Sequence, residues 1–388
     1  MNLDSASTLP TDATSGTLVG RVWRPEVGGP SVVAIRHDGV FDISRSYPTM
    51  RDLCETPHPA AAVAGAHAER FTDLAKLLTN TEDKRDPNKP HLLAPIDLQA
   101  IKAAGVTFAI SLLERVIEEH ARGMPERAAQ ARAEVESALG GAVEKIKPGS
   151  PQAMELKKLL QEKGLWSQYL EVGIGPDAEI FTKAPPMAAV GTGAAIGVLE
   201  QSTWNNPEPE VVVVVNSRGE IVGATLGNDV NLRDLEGRSA LLLGKSKDNN
   251  ASTAIGPFIR LFDKTFTLDD VRRAQVRLTV KGEDGFVLDG SSDLGKISRD
   301  PADLVAQMTG PHHQYPDGAV LFLGTMFAPV KDRDAPGMGF THHAGDIVTI
   351  AADKLGALTN VVTTCDKAPP WTFGTAQLMR NLAKRGLL

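Results

Sequence analysis

The sequence predicts an α+β protein dominated by β-structure, and three features of the chain support this fold class. Val211 to Val215 are five consecutive β-branched residues, a pattern typical of a buried strand. From Glu171 to Val362 the chain alternates short apolar segments with turns rich in Gly and Pro, and few helical patterns interrupt them. The length of 388 residues is sufficient for a substantial core and one or two domains.

Composition and charge narrow the range of partners. The hydrophobic fraction of 42% and the charged fraction of 23% are ordinary for a globular protein. A net charge of −7, an aromatic content of 5% and the lack of a Lys/Arg stripe argue against nucleic-acid binding. The acidic balance disfavours an anionic membrane surface, and no apolar run approaches the roughly 18 residues that span a bilayer. We therefore expect a small-molecule partner.

The first residues and the two cysteines bear on cellular location. Residues 1–16 are polar and lack the cationic and apolar regions of a signal peptide, so they are predicted to form a flexible tail. Cys54 and Cys365 lie far apart in the sequence and belong to no CxxC motif, which favours a reducing compartment. The sequence therefore predicts a cytoplasmic protein.

Residues 17–90 are predicted to form a small N-terminal α/β domain. The segments TLVGRVWRP and SVVAIRHDGVFDIS have the composition of strands, and Gly-Gly-Pro separates them. The segment YPTMRDLCE is predicted to begin a short helix. The charged stretch from Asn80 to Pro90 is predicted to be a linker, and no catalytic constellation is apparent in this domain.

Residues 91–388 are predicted to form the second domain, which contains the β-rich stretch. A helix is expected from Ile110 to Arg122, because Gly123 stops the pattern. An insertion follows, so the β-rich part of this domain is expected to begin only after two further helices.

This helical insertion covers about residues 124–165. One helix is expected from Pro125 to Leu139, ending at Gly140-Gly141. Another is expected to begin at Ser150-Pro151, which supplies an N-cap and a first-turn proline, and to end at Gly164. The two helices either pack on their own domain or form a lid over the active site, and the sequence leaves both interpretations open.

Three carboxylates flank the valine run. Glu208 and Glu210 precede it, and side chains two residues apart in a strand point to the same face. Residues 216–220 are predicted to be a turn and Ile221 to Leu226 the return strand, which brings Asp229 back beside the glutamates. Such a cluster repels itself unless a cation lies within it, and oxygen ligands suit Mg²⁺ or Mn²⁺. The alternative is a solvated acidic turn.

The order of several short motifs resembles the fumarylacetoacetate hydrolase superfamily. The motifs are the ExE of Glu208 and Glu210, then GNDVNLRD, then GKS at 244–246, GPF at 256–258 and FLGT at 322–325. The resemblance implies a mixed β-sandwich roll with a metal site at one open end. It also implies a homo-oligomer, a dimer or a tetramer.

The resemblance further implies roles for individual side chains. Lys245 of GKS corresponds to a catalytic lysine, and hydrolytic members carry a His–Glu pair at the positions of Ser111 and Glu114. Glu236 replaces a glutamine of the family pattern, which points to a hydroxylated substrate. The residues expected to bind the substrate are Thr325, Gly324, Glu236, Arg233 and Lys183.

The subgroup that the chain resembles most dehydrates 2-keto-3-deoxypentonates. The expected reaction is loss of water to give 2-oxoglutarate semialdehyde, with Lys245 taking a proton from C3 and Glu114 assisting departure of the C4 hydroxyl. The metal is expected to polarise the 2-oxo acid. The alternatives are hydrolysis of a C–C bond in a 2,4-dioxo acid and non-catalytic binding of a sugar acid.

Overall fold

The computed structural model describes residues 1, 3–82, 84–139, 146–162, 164, 166–327 and 329–388. Within these residues the strands form one sheet of eleven, one of five and one of two. The predicted α+β class with dominant β-structure is confirmed. A hydrophobic core lies between the two larger sheets, as in a sandwich, and helices cover the remaining faces.

The elements are given in chain order. The strands are β1 (Leu18–Arg24), β2 (Gly29–Arg36), β3 (Gly39–Asp42), β4 (Glu69–Thr72), β5 (His91–Leu93), β6 (Ala100–Gly105), β7 (Glu179–Ala184), β8 (Ala195–Val198), β9 (Asn205–Asn206), β10 (Pro209–Val215), β11 (Ile221–Asp229), β12 (Asn231–Leu232), β13 (Thr253–Leu261), β14 (Gln275–Lys281), β15 (Val287–Asp293), β16 (Ala319–Phe322), β17 (Ile347–Ala352) and β18 (Gly356–Thr364). The helices are α1 (Ser5–Thr8), α2 (Met50–Cys54), α3 (Pro59–Gly65), α4 (Leu74–Thr79), α5 (Ala109–Ala121), α6 (Ala128–Leu139), α7 (Pro151–Glu162), α8 (Gln168–Ile174), α9 (Arg233–Glu236), α10 (Leu243–Lys247), α11 (Leu268–Arg272), α12 (Pro301–Met308) and α13 (Thr375–Lys384).

The large sheet has the order β4-β3-β2-β1-β13-β11-β10-β16-β6-β7, and β5 also pairs with β1. The five-stranded sheet has the order β15-β14-β17-β18-β8, and β9 pairs with β12. Most neighbouring strands are antiparallel, whereas β16 pairs with β6, and β18 with β8, in parallel. No helix in the described part of the chain is both long enough and apolar enough to cross a membrane.

Strand β10 lies at the centre of the fold, and it is covered on both faces. Val211, Val213 and Val215 belong to the core between the two sheets. Val212 and Val214 point the other way, into the core that also contains residues of the N-terminal part. Because both faces are buried, the sequence is a continuous apolar run rather than an alternation of apolar and polar residues. The prediction of a buried strand is confirmed.

Strands β10 and β11 form the predicted hairpin. Pro209 pairs with Asn228 and Glu210 with Gly227, so the end of β11 lies beside the start of β10. The return strand continues past its predicted end, to Asp229. The hairpin therefore carries the acidic residues at its open end, away from the turn.

The predicted helix after β6 is present as α5 and ends at Ala121, with Arg122 and Gly123 both in the left-handed region. The insertion forms α6 and α7, and the Ser150 hydroxyl caps α7 by accepting the N–H of Ala153 at 3.2 Å. Gly164 has a φ of +68°, which suits the predicted end of that helix. The predicted stop at Gly140-Gly141 lies outside the described residues.

Helices α5, α6, α7 and α8 share one hydrophobic core. Its buried members include Val116 of α5, Val135 of α6, Leu160 of α7 and Leu170 of α8. The insertion therefore packs on its own domain in this structure, and its role as a lid stays a prediction.

The N-terminal part continues the large sheet. Val19 of β1 pairs with Ile259 of β13, and Val22 pairs with Leu92 of β5. The division into residues 17–90 and 91–388 stays a prediction, since this sheet runs across the proposed boundary.

The described residues of the segment 1–16, which the sequence predicts to be a flexible tail, pack against the rest of the fold in this structure. Helix α1 lies in this segment, and Thr8 is buried. Asp12 accepts two hydrogen bonds of 2.7 Å from Arg260, whose side chain is fully buried. A buried guanidinium needs a carboxylate partner, so the segment docks despite its polar sequence.

The pair of Asp12 and Arg260 should stabilise the fold. We expect Asp12→Ala to lower the free energy of unfolding by about 2 kcal/mol, because it leaves a buried guanidinium without its carboxylate. Asp38→Ala, at an exposed turn, is the control and should stay within about 0.5 kcal/mol of the parent. Urea unfolding measures both. Equal stability of the two variants would show that docking of the first residues does not depend on this pair.

Candidate metal centre

Three carboxylates converge where β10 begins and β11 ends. One oxygen each from Glu208, Glu210 and Asp229 lies within 4.8 Å of the others, and all three residues are buried. The Asp229 N–H donates to the Glu208 carbonyl at 3.1 Å, which fixes the two strands in register at this point. The predicted acidic cluster is confirmed, and the alternative of a solvated acidic turn is wrong.

The loop after β16 orients one of these carboxylates. The Gly324 N–H donates to Glu210 Oε2 at 2.6 Å. Gly324 has a φ of +88°, and a Cβ there would lie 2.0 Å from Thr107 Oγ1. Thr107 donates in turn to the Leu323 carbonyl at 2.7 Å. A glycine is therefore required at this position, and its contribution is a backbone N–H that holds Glu210.

Three cations surround the carboxylates. Lys247 Nζ lies 2.7 Å from Glu208 Oε2 and 3.3 Å from Asp229 Oδ2. Lys183 Nζ lies 3.1 Å from Asp229 Oδ1, and Arg115 contacts Glu208. Both lysines are buried. The positive side chains offset the negative ones, yet no lysine or arginine within the described residues forms an ion pair with Glu210.

The pKa values of the carboxyl groups differ because Glu208 and Asp229 form ion pairs with lysines. Burial, followed by repulsion from Asp229 and Glu208, raises the pKa of Glu210 well above its usual range. Burial acts in the same direction on Asp229, but Lys247 and Lys183 outweigh it and lower the pKa of Asp229. A divalent cation would relieve the repulsion on Glu210. Three carboxylate oxygens with no nitrogen or sulfur suit Mg²⁺ or Mn²⁺, so the residues present fit the predicted metal.

The structure does not place Lys245 at this centre. Lys245 is exposed, whereas Lys247, two residues later in α10, is buried against Glu208 and Asp229. Helical residues two positions apart project in nearly opposite directions, so only one of the two lysines can face the carboxylates. The GKS motif thus marks a segment of the centre, and Lys247 is the lysine of that segment that contacts the carboxylates.

Glu114 is not the isolated acid that the sequence predicts. It accepts hydrogen bonds of 2.5 and 2.8 Å from Arg132, and Arg233 Nη2 lies 3.4 Å away. Two arginines therefore hold this carboxylate, whereas the sequence predicts a lone glutamate at this position. The prediction overlooked these arginines because both are distant from Glu114 in sequence.

Two other predicted substrate-binding side chains belong to the same ionic network. Arg233 donates to Glu118 at 2.6 Å, and its guanidinium lies 4.4 Å from the centroid of the Trp204 ring. Glu236 is buried, with Oε2 3.1 Å from Arg115. Burial raises the pKa of Glu236, since it outweighs the opposing attraction of Arg115 and Lys247. A polar wall therefore adjoins the metal centre.

The remaining predicted residues differ in their surroundings. The Ser111 hydroxyl donates to the Phe108 carbonyl at 2.9 Å, within the first turn of α5. Thr325 is buried, and its hydroxyl accepts the Phe327 N–H at 3.1 Å. Lys183 is fully buried and donates to the Lys247 carbonyl at 2.5 Å. Lys183 thus forms an ion pair with Asp229 and a hydrogen bond with α10, whereas the sequence predicts that it contacts the substrate.

Sequence reasoning missed Lys247, Arg115 and Glu118. Arg115 and Glu118 follow Ser111 by four and seven residues, which places all three on one face of α5. That spacing was the available signal for the arginine and the glutamate. For Lys247, the signal was the second lysine of the GKSK sequence.

Comparison with known proteins agrees with this architecture. Residues 158–363, more than half of the chain, match the family described as fumarylacetoacetate hydrolase, C-terminal. The chain therefore belongs to the fumarylacetoacetate hydrolase family, as its motifs predict.

Similar proteins carry dehydratase names. The chain is 28% identical over 339 residues to a probable 2-keto-3-deoxyxylonate dehydratase of Haloferax volcanii, covering 87% of this chain and 96% of that one. It is 34% identical over 183 residues to 2-dehydro-3-deoxy-D-arabinonate dehydratase of Saccharolobus solfataricus, covering 46% of this chain and 57% of that one.

Solved structures share the fold. Apo 2-keto-3-deoxy-D-arabinonate dehydratase has a TM-score of 0.62 and 24% identity, covering 89% of this chain and 99% of that one. The same enzyme complexed with magnesium and 2,5-dioxopentanoate has a TM-score of 0.60, with the same identity and coverage.

Removal of one ligand charge should abolish tight metal binding. We expect Glu210→Gln to weaken Mn²⁺ affinity by about 100-fold or more, because changes outside the ligand shell alone cost ~10–100-fold. Glu200→Gln, at an exposed turn, is the control and should bind as the parent does. Electron paramagnetic resonance of free Mn²⁺ measures both affinities. Unchanged binding by a folded Glu210→Gln variant would contradict the assignment of Glu210 as a ligand.

Proposed function

We propose that this protein is a Mg²⁺-dependent dehydratase that converts a 2-keto-3-deoxypentonate to 2,5-dioxopentanoate. The observation that carries the proposal is the buried centre of Glu208, Glu210 and Asp229 with Lys247 beside it. The similarity to a probable 2-keto-3-deoxyxylonate dehydratase over nearly that protein's whole length supports the substrate class. The magnesium and 2,5-dioxopentanoate bound to a protein of the same fold support the cofactor and the product.

The three carboxylates would hold the metal. When bound, the cation supplies Lewis acidity, which withdraws electrons from a 2-oxo group and acidifies the adjacent C3 protons. The Gly324 N–H fixes Glu210, and Lys183 fixes Asp229, so the ligand geometry is set by the protein before substrate arrives. Thr325, which follows this loop glycine, is suited to bind the substrate carboxylate.

Lys247 takes the role that the family resemblance implied for Lys245. Its Nζ contacts two of the three ligands, so it lies beside any 2-oxo acid bound at this centre. A lysine there can move a proton at C3. Arg115 and Glu236 line the adjoining polar wall, where paired donors and acceptors suit the hydroxyl groups of a sugar acid.

The same contacts favour dehydration over C–C bond hydrolysis. Hydrolysis requires a general base that activates water, and the family pattern places that base at the positions of Ser111 and Glu114. The Ser111 hydroxyl hydrogen-bonds within its own helix, and Glu114 is held by Arg132 and Arg233. We also propose that Ser111 helps to set the choice of reaction and that the reaction belongs to non-phosphorylative pentose breakdown. The cytoplasmic location and a homodimer or homotetramer stay predictions.

Product analysis tests the reaction. We expect the protein with Mg²⁺ to convert a 2-keto-3-deoxypentonate to an aldehyde of unchanged carbon number, as followed by ¹³C NMR. An acylpyruvate should remain intact. Release of pyruvate from the acylpyruvate would identify a hydrolase, and binding of either compound without turnover would identify a sugar-acid sensor.

The two lysines of α10 provide a matched pair. Lys247→Ala should lower kcat/KM by about 10²–10⁴-fold, the usual contribution of a positioned proton-transfer group. Lys245→Ala should remain within about threefold of the parent, because its side chain is exposed. Steady-state kinetics with measured metal content compares them. A larger loss of activity in Lys245→Ala than in Lys247→Ala would instead assign the catalytic role to Lys245.

A further inference from the structure

Aromatic side chains concentrate at one cavity outside the metal centre. Only 5% of the residues are aromatic, and the chain has four tryptophans. Two of them, Trp23 and Trp371, line a cavity of about 300 Å³ together with His91 and Phe373. Trp371 is 47% exposed, although the ring of a tryptophan is a large apolar surface. The chemistry described above gives this cluster no role.

The aromatic rings of the cavity are held by contacts with one another. Trp23 of β1 pairs with His91 of β5, and the two rings lie at 26° with their centroids 6.5 Å apart. The segment after β18 supplies the other two rings. Phe373 meets Trp23 edge-on at 5.1 Å, and Trp371 Nε1 donates to the Phe373 carbonyl at 3.1 Å. Fixed aromatic faces of this kind bind planar groups by stacking.

His91 lies at the wall of this cavity with an unused nitrogen. Its side chain is buried, and Nδ1 has no hydrogen-bond partner in the described part of the chain. Burial lowers the pKa of His91 to about 4, and the charge of Arg85 adds to the shift, so the ring is neutral at pH 7. A neutral imidazole has one donor and one acceptor nitrogen. Because buried polar groups usually have partners, His91 leaves a hydrogen bond for a bound molecule to complete.

A second cavity, of about 470 Å³, adjoins the aromatic one. The two share four lining residues, among them Arg85 and Pro369. Lys84 and Lys367 also line the second cavity, and Glu283 is the only acidic residue among the described residues that line either one. The protein as a whole has a net charge of −7, so the positive charge here opposes the overall balance. A molecule with an anionic group is therefore favoured at this place.

The two cavities are separate from the metal centre but connected to it through the chain. None of the three carboxylates and neither buried lysine of the centre lines them. Asn250 lines the aromatic cavity, and its amide donates to the carbonyls of Cys365 and Pro369 at 3.1 and 3.4 Å. Asn250 follows Lys247 by three residues, and the Ser252 hydroxyl donates to the Lys247 carbonyl at 2.8 Å. A molecule in the aromatic cavity therefore contacts the segment that carries Lys247.

We propose that the two cavities form one binding site for a nucleoside phosphate. The nucleobase fits the aromatic cavity, because the planar faces of any base stack on rings such as Trp23 and Trp371. The phosphate fits the second cavity, where Lys84, Arg85 and Lys367 supply positive charge. Each cavity lies within the roughly 300–1,000 Å³ range of small-molecule sites. Neither the metal nor the proposed dehydratase reaction enters this inference.

Calorimetric titration of the full chain with adenosine monophosphate (AMP) tests the site. We expect AMP to bind more tightly than adenosine, which lacks the phosphate, and than inorganic phosphate, which lacks the base. Trp371→Ala should weaken AMP binding by about 5- to 150-fold, the usual contribution of one stacked base. Met379→Ala is the matched control, since Met379 is an exposed apolar residue of α13 outside both cavities, and it should bind AMP as the parent does.

A charge variant separates the two parts of the site. Lys367→Gln should lower AMP affinity by about two- to fivefold and leave adenosine affinity unchanged, because it removes one exposed positive charge from the phosphate cavity only. Lys76→Gln, at an exposed position of α4, is its control and should change neither affinity. Glu210→Gln should bind AMP as the parent does, because the metal centre takes no part.

Four results would each overturn the proposal. They are no binding of AMP at about 1 mM, equal AMP affinity of Trp371→Ala and Met379→Ala, unchanged AMP affinity of Lys367→Gln, and loss of AMP binding in Glu210→Gln. A fifth is light scattering in which Trp371→Ala dissociates an oligomer while the parent binds no AMP, since the aromatic cluster would then be an interface between copies. If Trp371→Ala does not fold, Trp371→Leu replaces it, because leucine keeps an apolar side chain but removes the stacking face.

Discussion

Repulsion among three buried carboxylates is the constraint on which this structure depends. Two unit charges 4 Å apart repel by roughly 4 kcal/mol at an effective dielectric constant of 20. Full burial of one valine contributes about 1.5–3 kcal/mol, and the five valines of β10 are all buried. Three carboxylates form three such pairs, so burial of the valine run offsets a repulsion of the same order. Lys183, Lys247 and Arg115 then balance part of the negative charge.

The parts predicted correctly from the sequence depend on local geometry. Successive side chains of a strand point to opposite faces, so Glu208 and Glu210 lie on the same face, and a short turn returns Asp229 to them. Both relations are fixed by strand geometry within some twenty residues of chain. The order of motifs then sufficed to identify the family, because most of the motifs lie in segments that form the centre.

Most of what the sequence did not predict depends on contacts between distant segments. Arg132 and Arg233 convert Glu114 from an isolated acid to a paired carboxylate, and nothing near Glu114 in sequence indicates them. The docking of the first residues follows from a buried arginine on β13, about 250 positions away. Lys245 and Lys247 have the same chemistry, so only the phase of a short helix distinguishes them.

The pairing of β1 with β13 has a consequence for biosynthesis. A ribosome releases β1 long before β13 exists, since Val19 pairs with Ile259. At 5–20 residues per second, the edge of β1 waits for roughly tens of seconds for this partner. During that interval an unpaired strand edge is open to pairing with other chains. We therefore expect a chaperone, a lower temperature or a slower induction to affect the yield most during the interval in which β1 lacks its partner strand.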